Sequence, residues 1–153
     1  MIEILDQTRL FKGLSYDQLN DITHFSECLL LNDGDILIHE GDETNADIFV
    51  LSEGNVEIVS NTTGLTSGEV VLSSENKEVF GEISWLTNAR RTASVRCHGN
   101  AEVIRVDGKK LMSYLEANPE AGFIITRRIA ELLSKRMEES NRLLKQILWN
   151  EQV

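Results

Sequence analysis

Hydrophobic and polar positions change rhythm twice along this chain, and the changes divide it into three parts. Near the start, "SYDQLNDITHF" places Leu19, Ile22 and Phe25 at helical spacing, with Ser15 able to cap the first turn and Gln18 at the third helical position. From about Leu29 the period shortens. "DILIH", "DIFVLS", "NVEIVS", "EVVLSS", "TASVRC" and "AEVIRV" are rich in β-branched residues, and "NDG", "EGDE", "SEGN", "NTTGLTSG" and "HGN" separate them with turn chemistry. Six or more strands at this spacing predict an antiparallel roll or sandwich closed on itself. After Asp107 the helical rhythm returns. "GKKLMSYLEAN" predicts a short helix stopped by Asn118-Pro119, because the residue before a proline is pushed out of the helical region. Pro119 suits the first turn of a second helix running to about Trp149. Along it Ile125, Ile129, Leu133, Met137, Leu144 and Leu148 fall mostly at four-residue steps. Such a stripe can pack back on the roll, or pair with the same helix of a second copy.

Composition narrows the function. The chain has 153 residues, enough for one domain with a core of its own, and no repeat or linker divides it. A net charge of -10 argues against general affinity for nucleic acid or anionic membrane, since either needs a broad basic face. Cys28 and Cys97 match no zinc, haem or thioredoxin spacing and are expected as two reduced, buried thiols. The start, "MIEILDQTRLF", does not read as a signal peptide, and no apolar run approaches the ~20 residues that cross a bilayer, so the cytoplasm is the expected compartment. His24, His39 and His98 lie far apart and are expected to be structural, with no metal site. The acidic turn "HEGDET" reads as a solvated loop, and no hydroxyl has a flanking base, so no catalytic constellation is expected.

The chemistry concentrates in "FGEISWLTNARRTASV", from Phe80 to Val95. Gly81 permits a backbone shape or close approach that a Cβ would block. If "EISWL" turns as one short helix, its leading N–H groups have no internal partner and attract an anion. Arg91 offers a planar fork for two phosphate oxygens, and Ala93 and Ser94 leave room against the backbone. Glu82 beside an anion makes sense if it accepts hydrogen bonds from a sugar hydroxyl. These residues suggest a phosphate-plus-ribose site. The alternative is that Arg91 pairs with Glu82 or a surface carboxylate and "EISWL" merely connects.

The same stretch resembles the phosphate-binding cassette of the cyclic-nucleotide-binding domain family: Phe-Gly-Glu-(Ile/Leu)-(Ser/Ala)-x-Leu, a short loop, then Arg-(Ser/Thr/Ala)-Ala-(Ser/Thr)-Val. "GDILIHEGDETNADIFVLSEGNVEI" is similar to the family's first barrel half, with Gly34, Gly41 and Gly54 at its strand-turn positions, and "LFKGLSYDQLNDI" to its N-terminal helix. The resemblance implies a mainly β, jelly-roll-like antiparallel β-roll over 29–107, a helical segment over 1–28 and two C-terminal helices over 108–153, all one domain. It implies that Arg91 holds the cyclic phosphate and Glu82 the ribose 2′-hydroxyl. Gly81, Ile83, Ser84 and Ala93 contribute backbone contacts, Thr92 a hydroxyl near phosphate and base, and Arg136 falls where the last helix caps the base.

Three positions depart from the pattern. Asn88 replaces a common glycine but tolerates a left-handed conformation. Arg90 replaces a frequent proline and reads as a solvated loop residue. Trp85 replaces an aliphatic and either fills core or crowds the pocket. The expectation is a non-enzymatic cyclic-nucleotide sensor without cofactor, favouring cyclic AMP over cyclic GMP. It is expected to form a homodimer through the last helix and to act on a protein partner, binding neither nucleic acid nor membrane. The alternatives are a ligand-free dimerisation module and the sensor part of a longer transcription regulator, channel or kinase.

Overall fold

The computed structural model describes residues 1–62, 68–73 and 78–151. A short helix α1 (Ile2–Gln7) and a 3-10 turn (Arg9–Phe11) precede α2 (Tyr16–Thr23). The capping box read from sequence closes α2: the Gln18 amide donates to Ser15 Oγ at 3.2 Å, and the Ser15 amide donates to Gln18 Oε1 at 2.9 Å. The strands are β1 (Ser26–Leu31), β2 (Ile36–Ile38), β3 (Ile48–Thr62), β4 (Gly68–Ser73), β5 (Val79–Phe80) and β6 (Ser94–Val106). All pair antiparallel in the order β1-β6-β3-β4, with β2 also on β6 and β5 on β3. Helix α3 (Glu82–Thr87) joins β5 to the segment before β6, and α4 (Gly108–Ala117) and α5 (Pro119–Glu151) follow the sheet.

Three expectations need correction. "SEGN" and "HGN" do not reverse the chain; they lie inside β3 and β6. The β3–β6 register slips between Leu51 and Glu53 and again between Glu53 and Asn55. Gly54 makes the bulge possible, with φ of 93° and a missing Cβ that would stand 2.4 Å from the Asn100 carbonyl oxygen. Second, β1 starts at Ser26, ahead of the change of rhythm near Leu29, and α1 was not anticipated. Third, Cys28 is exposed, because β1 borders the sheet and turns this side chain outward; only Cys97 is buried, and both thiols are free. "HEGDET" is a largely exposed loop, as read, and two backbone bonds tie it to the cassette. The Gly41 amide donates to the Arg91 carbonyl at 2.8 Å, and the Arg91 amide donates to the Asp42 carbonyl at 3.0 Å. The turn read at 61–68 falls mostly outside the described residues.

Two cores explain what holds the site in place. In β3, Ile48 and Val50 face the helices while Phe49 faces the interior of the roll; in β6, Ile104 and Val106 face the helices while Val103 faces inward. The roll interior gathers Ile38, Phe49, Val56, Phe80, Val95 and Cys97. The helical core adds Leu5, Phe11, Ile22, Leu111, Ile125 and Ile129. Full burial of one such isoleucine is worth about 1.5–3 kcal/mol, so Ile125 and Ile129 tie the first half of α5 firmly to the domain. The stripe read along this helix therefore divides: its first residues pack on the roll, while Met137, Leu144 and Leu148 are exposed. Asn118 has left the helical region (φ -126°, ψ 75°), as expected before Pro119, and α4 is capped by Asp107, whose Oδ1 accepts from the Lys110 amide at 2.9 Å.

Candidate functional site

Between the cassette and α5 lies an open cleft of about 610 Å³. Its floor is apolar, from Ile38, Ile58, Phe80 and Val95. One wall is the cassette, and the other is α5, through Arg136, Glu139, Ser140, Arg142 and Leu143. All of Gly81, Glu82, Ile83, Ser84, Arg91, Thr92, Ala93 and Arg136 line this single cleft.

Gly81 begins the cassette in a left-handed conformation, φ 87°. A Cβ there would meet the Asp47 carbonyl oxygen at 2.6 Å and Arg91 Nη1 at 2.8 Å, so only glycine lets these three groups converge. The chain then turns into α3, whose first N–H groups have no intrahelical acceptor. Asn88 ends α3 at φ 56°, the left-handed shape its side chain tolerates. Trp85 is buried and its indole N–H donates to the Gly108 carbonyl at 2.9 Å, so it fills core and stays out of the cleft.

Arg91 is 5% exposed. Its Nη1 donates to the Gly81 carbonyl at 3.1 Å, and its Nη2 donates to Asn45 Oδ1 at 3.1 Å and to the Asp47 carbonyl at 2.9 Å. Every acceptor is neutral. Among the described residues no carboxylate forms an ion pair with it, and two of its five N–H groups carry no hydrogen bond. Burial pushes its pKa down, opposed by the more distant charges of Asp47 and Asp42. Asp42 itself is held below the usual carboxylate range by hydrogen bonds from the Thr44 amide and hydroxyl. The Arg91–Glu82 pair left open by the sequence is absent: Glu82, 2% exposed, pairs with Arg136. Arg136 also donates to the Val79 carbonyl at 2.8 Å, and burial lowers its pKa against the favourable charge of Glu139.

The remaining site residues differ in access. Ile83 and Thr92 are exposed, Ser84 is buried and Ala93 is intermediate. The Thr92 hydroxyl makes no hydrogen bond within the described residues. Arg90 is exposed and pairs with Glu43. His24 is exposed with Nδ1 at 2.8 Å from the Asn20 carbonyl, and His98 stands 3.3 Å from Glu57; no metal-holding cluster occurs among the described residues. Sequence reasoning missed Glu139, Ser140 and Leu143, though their offsets from Arg136 follow the helical repeat and could have found them. It also missed Asn45 and Asp47, which reach Arg91 from a distant loop with no local signal.

This arrangement sets a buried positive charge and a buried carboxylate above an apolar floor. Known proteins resemble this chain in sequence and in fold. Canis lupus familiaris "Cyclic nucleotide-gated channel beta-3" is 27% identical over 138 residues, 88% of this chain and 17% of the channel. Homo sapiens "cGMP-dependent protein kinase 2" is 28% identical over 96 residues, 63% of this chain and 12% of the kinase. The chain thus spans under one fifth of the length of either relative. The solved cyclic nucleotide-binding domain from Methylobacillus flagellatus KT shares the fold, with a TM-score of 0.79 at 21% identity, covering 95% of this chain and 81% of that one. The sequence profile described as "Cyclic nucleotide-binding domain" matches residues 29–118, and with the β-roll and the cassette it places this chain in the cyclic nucleotide-binding domain family.

Proposed function

We propose that the cleft binds a cyclic nucleotide, cyclic AMP in preference to cyclic GMP, and that the chain is a sensor rather than a catalyst. One observation carries the reading. Arg91 is buried beside the cleft with only neutral acceptors, a costly arrangement unless an anion completes it. The cyclic phosphate takes the free N–H groups of Arg91 and the leading amides of α3. Glu82 accepts from the ribose 2′-hydroxyl. Gly81, Ile83, Ser84 and Ala93 line the sugar phosphate, and the apolar floor takes the base. Thr92, with its free hydroxyl, is the group through which cyclic GMP would be favoured instead. The names of the channel and kinase relatives support the ligand class.

The carboxylate that would meet the ribose, Glu82, is the one that pairs through Oε1 with Arg136, and Arg136 belongs to α5. Ligand and helix position are therefore linked, and a nucleotide shifts α5 only as far as it binds one helix position better than the other. Beyond Ser140 every described residue of α5 is exposed, including Leu143, Leu144, Ile147, Leu148 and Trp149. That face supports a homodimer through α5, or a protein partner reading the helix.

Calorimetric titration with cyclic AMP and with cyclic GMP tests the reading. One saturable site per chain, tighter for cyclic AMP, is expected; no heat from either at millimolar concentration overturns it. Sedimentation of the Leu144→Asp, Leu148→Asp double variant tests the dimer. Loss of a dimer seen in the unmodified chain is expected, and an unchanged dimer places the interface elsewhere.

A further inference from the structure

We infer that Asn45 is a positioning residue for Arg91, and that a neutral amide stands there so the arginine keeps its full charge for the ligand; this rests on the nucleotide-binding reading above. The geometry is local and complete. Asn45 Oδ1 receives the Arg91 Nη2 donor at 3.1 Å, and the Asp47 amide donates to the same oxygen at 3.3 Å, which aims the side-chain carbonyl at the guanidinium. The Asp47 carbonyl takes the other hydrogen of Nη2 at 2.9 Å. Between them the two acceptors use up Nη2 and fix the plane of the fork, leaving the unpaired N–H groups on Nε and Nη1.

The neighbouring carboxylates are committed elsewhere. Asp47 Oδ1 accepts from the Gly108 amide at 3.0 Å, and its Oδ2 lies 3.9 Å from Arg105. Asp42 accepts from Thr44 at 2.8 Å. Asn45 is thus the one side chain that touches Arg91 by hydrogen bond among the described residues. It approaches from a loop in sequence well before the cassette, so its contact couples that loop to the phosphate position. A carboxylate in its place would satisfy the buried cation and stabilise the free protein, but would offset the charge an anionic ligand needs.

In Asn45→Asp, stability and affinity should therefore move in opposite directions, which a residue serving the fold alone would not produce. The test measures thermal unfolding without ligand, and calorimetric affinity for cyclic AMP and cyclic GMP, in the unmodified chain, Asn45→Ala and Asn45→Asp. Asn45 is exposed, so neither change opens a cavity and both variants are expected to fold. Asn45→Ala should weaken nucleotide binding about fivefold to tenfold, the scale of one charge-assisted hydrogen bond at a partly open site. Asn45→Asp should raise the unfolding temperature yet weaken binding at least as much. In an Arg91→Lys background the effect of Asn45→Ala should largely vanish, since it acts through the guanidinium. Unchanged affinity in Asn45→Ala, or tighter binding in Asn45→Asp, overturns the inference. If the unmodified chain binds neither nucleotide, the binding reading fails. In that case the unfolding temperature of Asn45→Asp still decides whether Asn45 faces an uncompensated Arg91, and an unchanged or lower value refutes the placement.

Discussion

Two arginines enter the same cleft from opposite walls, and they are held in opposite ways. Arg91, on the cassette, is clasped by two backbone carbonyls and an amide oxygen, with no carboxylate in ion-pair contact among the described residues. Arg136, on α5, spends its charge on Glu82. The supports differ as well. The cassette is pinned between β5, β6 and the Gly41–Asp42 turn. The α5 wall lies beyond the buried residues that anchor the helix and depends on Arg136 for its polar tie to the cassette. One wall is held by the sheet, and the other is tied to it by Arg136 through Glu82, the carboxylate a ribose would use in the function proposed above. A buried charge kept unpaired costs stability, and sites of that kind point to function more than to folding.

The contrast can be broken most severely at Arg91. Arg91→Ala should weaken cyclic-nucleotide binding by about 3 kcal/mol or more, measured by calorimetry, because it strips the phosphate of its buried partner. Next comes Gly81→Ala, which forces a Cβ against the Asp47 carbonyl in a left-handed backbone. Chemical denaturation should show a loss of about 2–3 kcal/mol, with binding impaired in the fraction still folded. On the other wall, Arg136→Ala strands Glu82. It should cost about 1–2 kcal/mol of stability, reduced for the partial exposure of the arginine, and hydrogen exchange should speed up in α5 beyond Arg136. If exchange there stays unchanged, the ion pair is not what holds the helix over the cleft.

The smallest effect is a control outside both walls. The Tyr114 hydroxyl donates to Asp21 Oδ2 at 3.0 Å, and burial followed by this hydrogen bond raises its pKa from 10.0 to about 12. The native state thus favours the neutral phenol. Its contribution is complete below the unfolded value near 10 and is lost as pH rises through the folded value near 12. Tyr114→Phe should cost under about 1 kcal/mol at neutral pH, a difference that shrinks on titration through this alkaline window and leaves nucleotide affinity untouched.

Much of this comparison could be read before the fold was known, and unevenly. The cassette wall was legible because its chemistry is consecutive: Gly81, Glu82 and Arg91 sit at a spacing that one turn and one loop can satisfy. The α2 capping box and the Asn118-Pro119 break were legible for the same local reason. The "SEGN" turn was misread because glycine serves equally in a reversal and in a bulge, and the β6 partner of Gly54 decides which. The burial of Cys28 was misjudged because an apolar run does not reveal that its strand borders the sheet. The clasp of Asn45 and Asp47 on Arg91 left no trace, since two of the three acceptors are backbone carbonyls that any residue can supply.

If Arg91 holds its charge for the ligand phosphate while Arg136 does not, the two side chains respond differently as the cleft fills. Nitrogen-15 NMR of the arginine side chains during titration with cyclic AMP, with assignments from Arg91→Lys and Arg136→Lys, separates the two. The Arg91 Nε–H signal should move downfield and become protected from solvent exchange as the site fills, while Arg136 changes by losing or sharing Glu82. Saturable binding that leaves the Arg91 signal where it stood would contradict that role for Arg91.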